Sequence, residues 1–315
     1  MTESPVQLIR RALFLNGSRF EERRVQGATL YRKPGSACGP DAPFVCVIGA
    51  FDGMHLGHRL LIDAARAEAE KRGLPLALVT FVPDPSEVLS RRNPEHLCTD
   101  DDRIRALFLT KPDLVIAFDF TWDFSRCSYE AFTLEVLGGI VKPRSIHVGE
   151  DFTFGADGAG SPSDIARLGA CHGFDVHGHP LVEVGGAPVS STRIRALLKA
   201  GRLREAQALL ARHHMMRAGI ACAQGGAVLS FDSRSCMPKA GVYACYAACA
   251  TTAYPVVVRL DAASCSAHVV RGSLPADARS CSAVFVEPLP EADDSACENW
   301  VQHPNIMFAS GEVGA

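Results

Sequence analysis

Between residues 44 and 212, short and mainly apolar runs alternate with longer segments in which apolar residues recur every three to four positions. The short runs indicate buried strands, and the helical recurrence indicates helices that pack by one face. Strands are predicted at 44–50, 74–82, 113–118 and 144–149, and residues 174–184 are expected to be extended. This alternation predicts a parallel sheet that is covered by helices on both faces.

Capping residues and glycines predict where the helices begin and end. The helix at 56–73 is expected to stop at Gly73 and to bury one side, made of Leu60, Leu61, Ala64, Ala65 and Ala69. A second helix is expected to end at Gly138–Gly139. The expected N-caps of this helix and two others are Ser128, Thr99 and Ser161, and a fourth helix is expected to be capped from Ser190–Ser191.

Near residue 213 the helical recurrence fades, and β-rich runs follow at 241–250, 254–260 and 281–287. Short apolar runs separated by Ser, Gly, Pro and Ala are typical of a small antiparallel β-barrel. We therefore predict an α/β domain over residues 1–212 and a β domain over residues 213–315.

Composition narrows the class of protein. The 315 residues are 47% hydrophobic and 21% charged, with a formal net charge of −3, which gives no general attraction to nucleic acid or to acidic membranes. No run approaches the roughly 18 apolar residues of a membrane span, and the first 25 residues do not resemble a signal peptide. A cytoplasmic location is expected, and the oligomeric state stays open.

The 12 cysteines and the scattered histidines do not predict a metal site. None of the cysteines forms a Cys-x-x-Cys pair, so Cys245 and Cys249 are interpreted as small core residues. The pairs His177–His179 and His213–His214 are interpreted as surface or hinge residues. No metal-ligating residue is therefore predicted.

Candidate chemistry begins at "GAFDGMHLGH", residues 49–58, where a strand is expected to end and a helix to begin. Ligands bind beyond the carboxyl ends of strands in open α/β sheets, and a helix N-terminus suits phosphate. His55, Gly57 and His58 form the His-x-Gly-His signature of nucleotidylyltransferases, in which paired imidazoles donate hydrogen bonds to an α-phosphate. Such chemistry depends on alignment and on charge neutralisation, usually with a divalent metal.

A second group of phosphate-binding candidates occurs in "VSSTRIR", residues 189–195. Hydroxyl groups, free backbone N–H groups and a guanidinium at a helix start would suit the β- and γ-phosphates that leave as pyrophosphate. A capped surface helix would have the same pattern, and only the co-occurrence with His-x-Gly-His favours phosphate binding. The residues concerned are Ser190, Ser191, Thr192 and Arg195.

Four motifs together make the chain resemble the bacterial bifunctional riboflavin kinase/FAD synthetase family: residues 47–58, 80–85, 148–155 and 182–195. The resemblance implies a Rossmann-like FMN adenylyltransferase that uses ATP, Mg²⁺ and FMN. It implies catalytic roles for His55, His58 and Arg195. It implies ATP binding by Gly49, Ala50, Phe51, Asp52, Gly57, Ser190, Ser191 and Thr192, and flavin binding by Asp84, Gly149, Asp151, Phe152 and Phe154.

The chain departs from the family's pattern in both halves. Asp84 stands where the family usually has a histidine between two prolines, and "ADGAG" after the Phe-Thr-Phe-Gly loop lacks the basic residue that the family tends to carry there. In the second half, "CMPKAGVYACYA" (236–247) resembles a riboflavin kinase strand. However, the Thr and Asn that would bind ATP and metal, and the glutamate base, are not found.

The sequence therefore predicts an FAD synthetase whose riboflavin kinase domain is degenerate and inactive. Two alternatives stay open. One is an adenylyltransferase that acts on a different phosphorylated acceptor, which the change at Asp84 motivates. The other is a non-catalytic regulator that binds flavin or nucleotide.

Overall fold

The structure is a computed structural model, and it describes residues 21–25, 27–32, 43–90, 94–223, 226–249, 251–261, 265–268, 274–275, 277–290, 294–301 and 306–307. The prediction about a signal peptide falls almost entirely outside these residues, as does Cys38. Packing divides the chain into two compact units, which are described separately. The first includes Arg19–Pro94 and Ala106–Val189, and the second includes Glu95–Arg105 and Ser190–Ala315. Helices after residue 190 thus group with the β-rich half, and the division into functional domains at residue 212 stays a prediction.

A seven-stranded sheet forms the first unit, in the order β1-β2-β5-β4-β3-β6-β7. Its strands are β1 Glu21–Val25, β2 Ala28–Arg32, β3 Val45–Ile48, β4 Leu76–Val82, β5 Leu114–Asp119, β6 Ser145–Gly149 and β7 Asp175–His179. A separate hairpin is formed by β8 Glu183–Val184 and β9 Ala187–Pro188. The strands from β3 to β7 are parallel, which confirms the predicted core of the sheet.

The hairpin of β1 and β2 extends this sheet in the antiparallel sense, because β2 pairs with β5. The sequence did not predict it. Strand β1 reads Glu-Glu-Arg-Arg-Val, and its first four residues are exposed, so an apolar pattern that would indicate a buried strand is missing.

Strand order fixes where a ligand would bind. From β3, the chain proceeds to β4 and β5 on one side and then crosses to β6 and β7 on the other. In such sheets, the crevice at the carboxyl ends of the two strands where the direction reverses is the usual ligand site. Here these strands are β3, which precedes the His-x-Gly-His segment, and β6, which ends at Gly149.

The helices are α1 Leu56–Arg72, α2 Pro85–Leu89, α3 Asp100–Phe108, α4 Trp122–Ser125, α5 Tyr129–Ala131, α6 Pro162–Gly169, α7 Ser191–Lys199, α8 Leu203–Leu210 and α9 Asp294–Val301. Helix α1 ends at Gly73, which adopts φ 63°, as predicted. Its buried residues are Leu61, Ile62, Ala65 and Ala69. The prediction that Leu60 is buried is wrong, since this residue is 52% exposed and Ile62 is buried instead.

Ser128 caps α5 as predicted, but this helix continues as a π-helix, Phe132–Val141, through both glycines that were expected to end it. A Cβ on Gly138 would lie 2.6 Å from Nδ1 of His172. Gly138 is therefore a packing residue that makes room for an imidazole, and the predicted helix end is wrong.

The second unit is an antiparallel sheet in the order β11-β10-β15-β12-β13-β14, with β16 also paired to β13. Its strands are β10 His214–Ala223, β11 Gly226–Phe231, β12 Gly241–Cys249, β13 Thr252–Leu260, β14 Cys265–His268, β15 Ser280–Leu289 and β16 Ile306–Met307. Strands β11 and β14 at the two ends of this order pack against each other, so the sheet curls into a half-barrel.

Cys245 and Cys249 are buried in this sheet as free thiols, which confirms their interpretation as core residues. Of the expected surface or hinge role of His214, the surface part is wrong, because this side chain is fully buried in β10. Burial lowers the pKa of His214 to about 3. Among the helices in the described ranges, none combines the length and the apolar character that a membrane span requires.

Candidate functional site

The His-x-Gly-His segment lies at the carboxyl end of β3, where the chain turns into α1. Phe51, Gly53 and Met54 have positive φ angles of 59°, 79° and 47°, so the loop makes a tight turn between strand and helix. His55 is the N-cap of α1, and its Nδ1 accepts a hydrogen bond from the backbone nitrogen of His58 at 3.4 Å. The two imidazole rings stack with their centroids 3.7 Å apart.

This geometry determines which nitrogen of His55 can donate. Because Nδ1 accepts from a backbone N–H, the neutral ring carries its proton on Nε2. Burial lowers the pKa of His55 to about 4. Burial and the neighbouring His55 ring also hold the pKa of His58 well below its usual value. Both rings are therefore neutral hydrogen-bond donors near pH 7, and they act beside the partial positive charge of a helix N-terminus.

His58 has one polar atom whose partner is missing from the described residues. The residue is partly exposed, yet Nδ1 of its ring is buried and has no hydrogen-bond partner among them. Phe51 packs edge-on against this ring with centroids 5.2 Å apart. Buried polar atoms are nearly always hydrogen-bonded, so Nδ1 is a natural contact for a bound ligand.

Two glycines permit this packing. A Cβ on Gly57 would lie 3.2 Å from Cε1 of His55 and 3.9 Å from the carbonyl oxygen of Val189. A Cβ on Gly49 would lie 3.1 Å from the Phe51 ring. Side chains at either position would displace the rings that form the centre of the site. Ala50 and buried Asp52 complete the same loop, and the carbonyl of Ala50 accepts a hydrogen bond from Thr80.

Asp84 lies at the carboxyl end of the neighbouring strand β4. It is the N-cap of α2, and its Oδ1 accepts hydrogen bonds from the backbone nitrogen and the hydroxyl of Ser86 at 2.9 and 2.6 Å. This carboxylate therefore has a local structural role. The sequence did not predict that role, although Asp followed by Pro and Ser is a helix-start signal.

The predicted flavin residues follow β6 and differ in accessibility. Asp151 is exposed and Phe152 is half-buried, whereas Phe154 is only 7% exposed and packs on Phe132 with ring centroids 5.2 Å apart. Phe152 and Phe154 stack with centroids 5.6 Å apart. Phe152 is thus the one of these two rings that a ligand can reach, and Phe154 supports it from the core. A Cβ on Gly149 would lie 2.9 Å from Oδ1 of Asp151.

Aromatic residues at the end of β5 were missed by the sequence analysis. The backbone nitrogen of Phe120 donates to the carbonyl of Val82, so this segment lies beside the end of β4. Phe120 and Phe124 are half-buried with ring centroids 5.7 Å apart, and Trp122 is 61% exposed. The signal was present in "FDFTWDF", where aromatic residues alternate immediately after an apolar run.

The predicted triphosphate residues belong to the second unit, at the N-terminus of α7. Ser190 is the N-cap, and its Oγ accepts from the backbone nitrogen of Arg193 at 3.2 Å. The Arg195 guanidinium donates to Oγ1 of Thr192 at 3.1 Å. Ser191 begins the helix and is partly exposed. Hydroxyls and a guanidinium thus gather at one helix end, as predicted.

Comparison with known proteins gives a family match over much of the first unit. Residues 40–193 match the family model described as FAD synthetase. The chain is 31% identical over 172 residues to the bifunctional riboflavin kinase/FMN adenylyltransferase of Escherichia coli K12, which covers 54% of this chain and 55% of that protein. It is 30% identical over 210 residues to the protein of the same name from Listeria monocytogenes. That alignment covers 64% of this chain and 66% of the Listeria protein.

The chain therefore spans about half to two thirds of the length of these relatives. A solved structure described as a macrolide-efflux protein from Streptococcus pneumoniae has a similar fold, with a TM-score of 0.72. That likeness covers 84% of this chain and 96% of that chain at 23% sequence identity, so it concerns the fold alone.

Proposed function

We propose that this chain is an FMN adenylyltransferase, a nucleotidyltransferase that makes FAD, because residues 40–193 match the FAD synthetase family model. An oxygen of the FMN phosphate attacks the α-phosphorus of ATP, the bond from that phosphorus to the β-bridging oxygen breaks, and pyrophosphate leaves. The attacking group is already ionised, so alignment and charge stabilisation matter more than a general base.

The observation that carries the proposal is the stacked pair of His55 and His58 at the start of α1. Both are neutral donors near pH 7, since burial lowers the pKa of each. In this proposal, Nε2–H of His55 donates to an α-phosphate oxygen, whose negative charge increases during the reaction. A donor placed in this way typically contributes about 10²–10³-fold in rate.

ATP would be held by both predicted groups. Gly49, Ala50, Phe51 and Asp52 would contact the adenosine side, and Gly57 would leave room for phosphate. Ser190, Ser191, Thr192 and Arg195 would bind the phosphates that leave as pyrophosphate. The paired contact between Thr192 and Arg195 supports this role, because it presents a hydroxyl and a guanidinium together.

Mg²⁺ binds with one or two carboxylates plus substrate phosphates. Asp84 is a buried carboxylate at the carboxyl end of β4, so its chemistry fits such an ion better than it fits direct contact with phosphate. Mg²⁺ would neutralise charge on the phosphates when bound. Flavin would contact the ring of Phe152 and also Gly149 and Asp151 at the end of β6. Phe154 would support the Phe152 ring from the core.

The test is to incubate the purified chain with ATP, Mg²⁺ and FMN, and to measure pyrophosphate and FAD. We expect both products in equal amounts, and we expect His58→Ala to lose at least 100-fold in rate. The control is His172→Ala, which removes an exposed histidine of the same unit. If ATP binds but pyrophosphate never forms, the proposal fails in favour of a nucleotide-binding regulator. If pyrophosphate forms only with another phosphorylated acceptor, FMN is the wrong substrate.

We propose in addition that the half-barrel is a degenerate riboflavin kinase domain without activity. The segment before β12, "AQGGAVLSFDSRSC", lacks the Thr and Asn that a kinase of this kind would use to bind ATP and metal. The test replaces FMN with riboflavin in the same assay. No FMN should form, and clear conversion of riboflavin to FMN would refute this part of the proposal alone.

A further inference from the structure

Four ionisable side chains outside the candidate site meet where α1 lies over the sheet. Nε2 of His147 lies 2.6 Å from Oε2 of Glu68, and Nε2 of His177 lies 3.3 Å from the same oxygen. Nδ1 of His147 lies 2.8 Å from Nε2 of His179. The parallel register of β6 and β7 pairs His147 with His177, so both rings lie on the same face of the sheet.

We propose that Glu68, His147 and His177 bind a divalent transition-metal ion such as Zn²⁺, and that His179 orients His147. The three ligand atoms all lie within 4.8 Å of one another. Zn–ligand distances of about 2.0–2.2 Å in tetrahedral geometry place ligand atoms about 3.3 Å apart. The distance from Oε2 of Glu68 to Nε2 of His177 already has this value. The distance from Oε2 of Glu68 to Nε2 of His147 would need to increase by only about 0.7 Å.

The choice of metal follows from the donor set. Two imidazoles and one carboxylate suit Zn²⁺ and its neighbours in the first transition row, whereas Mg²⁺ and Ca²⁺ prefer oxygen ligands throughout. The side chain of His177 is 44% exposed, whereas that of His147 is 5% exposed. The ion would enter past His177, and water would occupy the remaining coordination position.

Neighbouring groups already orient the ligands. If His147 binds metal through Nε2, its Nδ1 carries the proton and donates it to Nε2 of His179. Metal-binding histidines usually donate their second ring N–H in this way. The other carboxylate oxygen of Glu68, Oε1, lies 2.9 Å from Nε of Arg72, so these two side chains form an ion pair.

The test is a titration of Zn²⁺ into the full chain after treatment with a chelator, without ATP, in competition with a chromophoric chelator. Visible absorption of Co²⁺ in place of Zn²⁺ reports the coordination geometry. We expect one equivalent bound with a tetrahedral Co²⁺ spectrum. His177→Ala should weaken binding at least tenfold, and His179→Ala by about tenfold without loss of stoichiometry. His172→Ala is the matched control and should change neither the affinity for Zn²⁺ nor the stoichiometry.

Circular dichroism of His177→Ala, whose ring is largely exposed, verifies that the fold persists. Two results would overturn the proposal. One is wild-type protein that binds no Zn²⁺ at micromolar concentrations, in which case the cluster is only a hydrogen-bond network. The other is wild-type protein that binds one equivalent of Zn²⁺ with the same affinity as His177→Ala. Both readouts are independent of FAD formation, so failure of the proposed function would leave this inference standing.

Discussion

Nδ1 of His55 lies 3.4 Å from the backbone nitrogen of His58 and caps the helix on which His58 stands. The position of each imidazole therefore depends on the other. A change at His55 would affect both the start of α1 and the proposed phosphate contact, and suitable variants separate these two effects.

The first prediction compares two variants of His55. Asparagine is a strong N-cap and alanine is a poor one, so His55→Ala should lose about 1 kcal/mol of stability and His55→Asn much less. Neither variant retains Nε2–H, so both should lose about 10²–10³-fold in pyrophosphate release. Urea unfolding and the FMN assay measure the two quantities. Full activity in His55→Asn would show that His55 is only a cap.

The second prediction concerns Gly57. An added Cβ would lie 3.2 Å from Cε1 of His55 and displace that ring by a few tenths of an ångström. Alanine is favoured over glycine in helices by up to about 1 kcal/mol, so Gly57→Ala should fold at least as well as the wild type. We expect adenylyl transfer to fall by at least tenfold because alignment is lost. Gly73→Ala, at the other end of α1 with φ 63°, should show the opposite pattern, with reduced stability and normal activity.

The third prediction is a pH dependence of stability. The pKa of folded His55 is about 4, below its ordinary value of 6.5. As the pH falls below 6.5, the unfolded chain takes up a proton at this residue and the folded chain does not, so stability is lost between about pH 6.5 and 4. The loss from His55 is on the order of 2–3 kcal/mol. Urea unfolding from pH 8 to 4 should show a smaller decline in His55→Asn, and an equal decline in both proteins would contradict the buried neutral ring.

The fourth prediction separates two stacked rings. Phe152→Ala removes the half-buried ring, so the KM for FMN should rise about tenfold while the KM for ATP stays the same. Phe154→Ala removes a core ring and should cost about 3–5 kcal/mol of stability. Steady-state kinetics and thermal unfolding give the comparison. If neither variant raises the KM for FMN, flavin binds away from the end of β6.

The fifth prediction concerns an ion pair in the second unit. Arg217 binds Oδ1 of Asp102 at 2.6 Å, and the side chain of Asp102 is only 10% exposed. Arg217→Ala removes the guanidinium from a buried carboxylate and should cost about 2–4 kcal/mol. Arg204 binds Glu287 at 3.1 Å but is 78% exposed, so Arg204→Ala should cost less than about 0.5 kcal/mol. Equal costs in urea unfolding would contradict the role of burial.

The sequence predicted the parallel core of the sheet because β3, β4, β5 and β6 are buried and read as apolar runs. Strand β7 is largely exposed, so its sequence indicated only an extended segment. It also predicted the helix starts, since Ser128, Ser161 and Ser190 act as caps in the structure. It did not predict the end of the helix that contains Gly138, because that glycine serves packing against a histidine 34 positions later. Contacts between distant residues carry no local signal.

The same limit applies to the candidate site. The His-x-Gly-His spacing indicated two imidazoles at a helix end, but the stacking and the capping bond follow from backbone geometry. His147 and His177 are 30 residues apart, and only the register of β6 and β7 brings them together. His177 is exposed, as interpreted, but sequence spacing alone did not indicate that it lies beside His147 and Glu68.

The hairpin of β1 and β2 determines how the first sheet ends. Without it, β5 would present a row of unpaired backbone groups, which is a template for pairing with other chains. The added outer strand has exposed glutamate and arginine side chains at its first four positions. Charges on an edge strand oppose further strand addition, so this polar hairpin protects the sheet against aggregation.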